Sequence, residues 1–167
     1  MENYVKAVLH AYPFLKMEKE AYVQHVKNKA LLSCDGRVNT EKLVEHLAEE
    51  ILHKRRLEWL EESLEKALSS LGEPERDLVG IRFFGEKRNL EDIWQAVEER
   101  YKTKTLGRRR RMRFWEQTLD KLSIALQKAG VTQKCFEEEL LDLAIVKRIY
   151  KRVRFCSQRK LSYGNEA

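Results

Sequence analysis

The sequence predicts an all-α protein, a multi-helix bundle with little room for sheet. Three observations carry that expectation. Only two prolines and seven glycines interrupt 167 residues. Leucine, glutamate, lysine and arginine dominate a chain that is 43% hydrophobic and 36% charged, the composition of amphipathic helices. Apolar residues also recur at the three- and four-residue spacing of a helix face along most of the chain. A chain of this length has enough apolar surface to bury a core of its own.

Val5, Val8, Leu9 and Tyr12 share one face of a first helix, which Pro13 is expected to kink or end. A second stretch from about Phe14 carries Leu15, Tyr22, Val26 and Ala30 at helical spacing, up to a loop from Ser33 to Asn39. Thr40 suits an N-cap, with Glu41 in the first turn where the helix dipole favours an acid. From there to about Ser70 the pattern is one long helix, or two broken near Lys54-Arg55-Arg56. Leu43, Leu47 and Ile51 form one stripe; Leu57, Leu60, Leu64, Leu68 and Leu71 form another. Gly72 is expected to end this element.

Pro74 opens the next helix, where its missing N–H is harmless; Leu78, Ile81 and Phe83 or Phe84 give its apolar face, and Gly85 closes it. Asn89 caps a helix with Leu90, Ile93, Trp94 and Val97 inward. After a polar break over Lys102–Gly107, a long helix runs from Arg108 to about Lys128, with Met112, Trp115, Leu119, Leu122 and Leu126 on one stripe and Gly130 at its end. Thr132 caps a last helix through Phe136, Leu140, Ala144 and Tyr150. Three segments result: an N-terminal helical module (1–71), a central unit (72–130) and a C-terminal helix with a basic tail (131–161).

Several function classes find no support. No apolar run approaches the roughly 20 residues that span a bilayer, and the N-terminus lacks a basic-then-apolar leader pattern, so a cytoplasmic protein without a membrane partner is expected. Cys34, Cys135 and Cys156 are odd in number and far apart, which points to reduced thiols rather than a disulfide framework or a zinc ribbon. Glu50 and His53 have the spacing used in di-iron bundles, but no second such pair exists; they read as a surface pair, and His46 and His53 as solvated histidines. No nucleophile–base order and no glycine-rich phosphate loop is present, so neither an enzyme nor a cofactor is expected.

Charge is the informative feature. The net charge is +6, yet Thr40 to Asp77 holds eleven acids against six bases. Arg100 to Arg113 holds eight bases and no acid, and Lys147 to Lys160 holds seven bases and no acid. Segregation of this kind makes a positive face that attracts a polyanion. The helices at about 74–84, 89–101 and 108–128 have the layout of a helix-turn-helix, whose last helix enters the major groove. On that helix Arg109, Arg110, Arg113 and Gln117 lie opposite the apolar stripe, in the turns that reach base edges. Arginine there reads guanine and glutamine reads adenine. Lys102, Thr103, Lys104, Thr105, Arg108 and Arg111 are better placed for phosphates. Trp94 and Trp115 belong to core stripes, whereas Phe114 falls beside Arg110 and Arg113, where it contacts thymine methyls or covers a neighbouring helix.

Leu71 to Gly85, Leu90 to Val97 and Arg108 to Leu122 resemble, in order, the three helices of region 4 of sigma-70-type transcription factors. The arrangement is also similar to small phage-associated regulators of the ArpU type in bacteria. The resemblance covers roughly residues 60–128. It implies a sigma-like or phage-type transcription regulator that reads double-stranded DNA, and the N-terminal module, 1–71, is then expected to give stability and to offer a contact to a second copy of the chain or to RNA polymerase. The chain departs from the family pattern where Leu106-Gly107 runs straight into the arginines without a serine or threonine cap, and where the second helix extends to Tyr101. Nothing resembling the promoter minus-ten-binding region precedes it, so a complete sigma factor is not expected. The competing readings are a helical interaction module that docks an acidic partner through its basic face, and an RNA-binding protein.

Overall fold

A computed structural model describes residues 2–33, 40–100 and 106–162, and among the described residues every regular element is helical. In chain order these are α1 (Asn3–Ser33), α2 (Thr40–Ser69), α3 (Glu73–Val79) running into a wide π turn (Gly80–Phe84), α4 (Leu90–Arg100), α5 (Arg108–Lys128), the short α6 (Gln133–Cys135) with a second π turn (Phe136–Leu140), and α7 (Ala144–Ser162). The expected loop from Cys34 to Asn39 falls outside the described residues.

α1 packs on both α2 and α7. Its face from Tyr4 to Leu15 is buried, with Val5, Val8, Leu9 and Leu15 inaccessible to solvent. That face explains the first correction to the sequence reading: Pro13 neither ends nor divides the helix, which continues through it to Ser33. A proline inside a helix costs about 3 kcal/mol. Each large aliphatic side chain buried on either side of it contributes roughly 1.5–3 kcal/mol, so packing wins. Pro13 itself points to solvent. α2 is likewise one helix, unbroken at Lys54-Arg55-Arg56.

Leu57, Leu60, Leu64 and Ala67 from the second half of α2, and Leu71 just after it, join the α1 face, with Leu122 and Leu126 of α5 and Val131, Phe136, Leu140, Leu143, Val146 and Ile149 of the C-terminal part. Residues from all three expected segments, 1–71, 72–130 and 131–161, thus meet in one buried cluster. The remaining halves of α1 and α2 extend beyond it as an antiparallel pair. The direction follows from the contacts: Lys19 pairs with Glu61, the Tyr22 ring meets the His53 ring at 5.8 Å, and Lys29 pairs with Glu50. Glu50 is therefore buried beneath α1 rather than part of a surface pair, while His46 stays exposed beside Glu49.

Gly72 also differs from expectation. It is extended (φ −68°, ψ 162°) and caps the start of α3 instead of closing α2 in a left-handed turn. Its N–H donates to the Glu75 carboxylate at 2.7 Å. Gly85 does take the left-handed conformation (φ 71°), and its N–H closes the first π turn onto the Gly80 carbonyl. This turn sets Phe83 against the His10 ring (4.9 Å) and Phe84 against the Tyr12 ring (4.8 Å), fastening α3 to α1. The last helix of the sequence reading is two elements: Thr132 caps α6 by accepting the Cys135 N–H, and the chain then turns before α7, leaving Ala144 exposed.

Candidate nucleic-acid interface

α3, α4 and α5 meet around a second, smaller cluster. Leu78, Ile93, Trp94 and Val97 are buried there, with Ile81, Leu106, Phe114 and Trp115 packed against them. Trp115 touches the main core as well, so it joins the trio to the rest of the fold. Asn89 caps α4 as expected, its side-chain oxygen accepting the Glu91 N–H at 3.2 Å. Leu90, expected to point inward, is 45% exposed, because it precedes the turn at which α4 first meets its neighbours.

Gly107 precedes α5 in an extended conformation with no side chain to offer; its carbonyl accepts the N–H groups of Arg110 and Arg111 at 2.8 and 3.1 Å. No acid stands in the first turn. Positive side chains at this end oppose the helix dipole, each by roughly 0.3–1 kcal/mol at an exposed position. Successive residues rotate by about 100°, which divides the arginine run. Thr118, Leu122 and Leu126 face the core, with Trp115 and Leu119 half-buried beside them. Arg109, Arg113 and Gln117 follow at four-residue steps on the opposite side, with Arg110 adjoining, and all four are exposed. Arg108 is exposed too. Met112 was expected on the buried stripe but is 61% exposed, since it lies at the stripe's edge in the turns that project past the core.

Arg110, Arg113 and Gln117 border one hollow of about 260 Å³, together with Phe114, Val97, Leu106 and Lys121. Arg109 is on the same helix face but does not line it. Phe114 covers a neighbouring helix: its ring stands edge-on to Trp94 at 6.0 Å. The hollow's inner wall includes Glu75, only 5% exposed, which receives Lys121 Nζ at 2.6 Å as well as the Gly72 N–H. Burial pushes the Glu75 carboxyl up, but hydrogen bonds from Lys121 and Gly72, with the charges of Lys121 and Arg100, outweigh it and hold it below its ordinary value.

Arg111 behaves unlike its neighbours. Its two terminal nitrogens donate to the two Glu91 oxygens at 2.9 and 3.1 Å, and Nε donates to the Leu106 carbonyl at 3.0 Å. The guanidinium lies over the Trp94 ring, 5.3 Å from its centroid, with Glu98 3.8 Å away. These hydrogen bonds hold the Glu91 carboxyl below its usual range. Expected as a phosphate contact, Arg111 has three of its five N–H donors engaged in tying α5 to α4 and to the Leu106 carbonyl. The signal for this was present as Glu91 and Glu98, seven residues apart on one face of α4. Lys102, Thr103, Lys104 and Thr105 lie outside the described residues.

No protein-family model, curated protein or solved structure matches this chain. Among the described residues no cluster of histidine, cysteine, aspartate and glutamate is arranged to hold a metal ion, and no helix is long and apolar enough to cross a membrane.

Proposed function

We propose that this chain is a DNA-binding transcription regulator that lays α5 in the major groove of duplex DNA. In this reading α3 and α4 are the supporting helices of a helix-turn-helix similar to sigma-70 region 4 and to ArpU-type phage regulators. The protein acts in the cytoplasm and without catalysis. One observation supports it above the others: Arg109, Arg110, Arg113 and Gln117 are exposed together on the first turns of a helix whose reverse side is anchored in the core. Such a helix offers forked donors to guanine and an amide to adenine at a fixed depth. Arg108 takes a phosphate, as do Lys102, Thr103, Lys104 and Thr105 of the preceding connection. Arg111 is a positioning residue, aligning α5 through Glu91. The outer α1–α2 pair, with Leu31, Val44, Ile51 and Leu52 exposed, is the part left for RNA polymerase or a second copy of the chain.

The test is a fluorescence-anisotropy titration on mixed-sequence duplexes at 50 mM salt, followed by selection from a random duplex pool. Binding by the native chain that is lost in the folded Arg109→Ala/Arg113→Ala variant, and an enriched sequence, are the expected results. Absence of duplex binding, or binding untouched by that variant, removes the reading in favour of an acidic protein partner. Preference for structured RNA in the same titration also overturns it.

A further inference from the structure

A cavity of about 700 Å³ opens between α1, the first π turn, α5 and α7, on a different side of α5 from the arginine face. Its size falls within the range that encloses small organic ligands. The inner surface is apolar: Phe83 and Ile149 are buried, and Trp115 and Leu119 are half-buried beside them. The Phe83 and Trp115 rings stack with centroids 6.2 Å apart, giving one wall a flat aromatic surface. Cations come to the lip from three separate elements: Lys6 on α1, Arg82 on the π turn and Arg152 on α7. None of the three is ion-paired with an acid among the described residues, and no acid is among the described residues that line the cavity. His10 completes the wall; burial and the nearby Arg82 charge lower its pKa against a hydrogen bond to the Phe83 backbone, so it presents a neutral polar group.

An apolar interior with a cationic lip that no described acid pairs with is complementary to one kind of molecule. We infer that this cavity binds a small apolar carboxylate, a medium-chain or aromatic acid, with its body against Phe83, Trp115, Leu119 and Ile149 and its carboxylate between Arg82 and Arg152. Burial of the hydrocarbon supplies the attraction, and the forked guanidinium donors select for the charged head. Neutral ligands of the same shape leave the lip cations unmatched and bind less well. Trp115 and Leu119 belong to α5, so the ligand sits directly behind the helix that carries the arginine face. This inference goes beyond DNA binding and stands or falls without it.

The experiment is isothermal titration of the full chain with decanoate and, separately, with decanol. Decanoate is expected to bind saturably at one site and about tenfold or more tighter than decanol, the worth of one charge-assisted hydrogen bond. Arg82→Ala/Arg152→Ala, both at exposed positions, is expected to weaken decanoate by at least about tenfold while leaving decanol unchanged; thermal melts verify that the variant is folded. Blue or red displacement of Trp115 emission on adding decanoate, absent in Trp115→Phe, places the ligand in this cavity. The inference is overturned if the folded chain shows no saturable decanoate binding, if decanol binds equally well, or if the double variant binds decanoate as the native chain does. Loss of duplex affinity in the double variant with decanoate binding intact would make the lip cations phosphate contacts and would equally overturn it.

Discussion

Replacing Glu75 with glutamine tests how the candidate interface is held in place. Glu75 links the start of α3 to α5, taking the Gly72 N–H at 2.7 Å and Lys121 Nζ at 2.6 Å. Glutamine keeps the size and an acceptor for the Gly72 N–H but removes the charge. A hydrogen bond to a charged group contributes about 1.5–3 kcal/mol where water is excluded. The Lys121 side chain is 57% exposed, so solvent screens the pair and the expected loss is about 1 kcal/mol. For a chain of this size that lowers Tm by about 2–4 °C. The folded-state pKa of Glu75 is depressed. Its contribution is therefore complete above the carboxyl's unfolded-state value and is lost as pH falls through the lower folded-state value. The gap between native chain and variant should be widest at neutral pH and narrow on the acid side. Urea midpoints followed by circular dichroism from neutral pH down to about pH 3 measure it, a range that brackets the ordinary carboxylate values. A variant as stable as the native chain at neutral pH, or a gap that widens in acid, refutes the reasoning.

Other consequences are more direct. Arg108→Ala should reduce the slope of log affinity against log salt by about 1 and weaken all duplexes alike, whereas Arg113→Ala should cost about 1–3 kcal/mol on the selected duplex and relax its sequence preference; titrations at several salt concentrations separate the two. Pro13→Ala should raise Tm, because it restores a helix hydrogen bond and relieves the ring clash in a helix that continues through this position; a lowered Tm would count against a continuous α1. Gly85→Ala should destabilise by about 1–2 kcal/mol in a denaturant titration, the cost of a left-handed conformation for a residue with a Cβ. Nothing lies within 4 Å of that Cβ, so the loss isolates the backbone term.

The parts of the fold that were legible in the sequence are those decided within a few residues. Asn89 and Thr132 cap their helices through side-chain oxygens reaching N–H groups two and three residues on. Gly85 and Gly130 end theirs with positive φ. Pro13 misled because its local penalty is overridden by burial against α2 and α7, partners distant in sequence. Gly72 misled because α2 and α3 are so close that a glycine closing one helix and a glycine opening the next occupy the same place in the pattern. Leu90 and Met112 satisfy the apolar spacing but sit beyond the reach of the elements their helices pack on. At the candidate site, periodicity alone was enough to put Arg109, Arg110, Arg113 and Gln117 on one face. It put Glu91 and Glu98 on one face of α4 but did not show which residue of α5, twenty positions on from Glu91, that face meets, and so could not separate Arg111 from the arginines around it. The lip formed by Lys6, Arg82 and Arg152 was equally hidden, since those residues meet only through the packing of α1, the π turn and α7.

The division of the arginine run has an energetic meaning. Four consecutive arginines at the positive end of α5 strain the helix that bears them, and a helix start under that load would fray unless some of the charge were answered. Arg111 is answered within the chain, by a two-pronged bond to Glu91 and by the Trp94 ring, both on α4. Its pairing fixes the axial position of α5 by joining it to a second helix. It also leaves Arg108, Arg109, Arg110 and Arg113 without an acidic partner among the described residues. Under the proposed reading, binding a polyanion would relieve the repulsion among those four and add to affinity what that repulsion withholds from the free protein. Arg111 and its neighbours thus do opposite work with the same side chain: one residue pairs its charge with α4 at the surface, while Arg108, Arg109, Arg110 and Arg113 stay exposed.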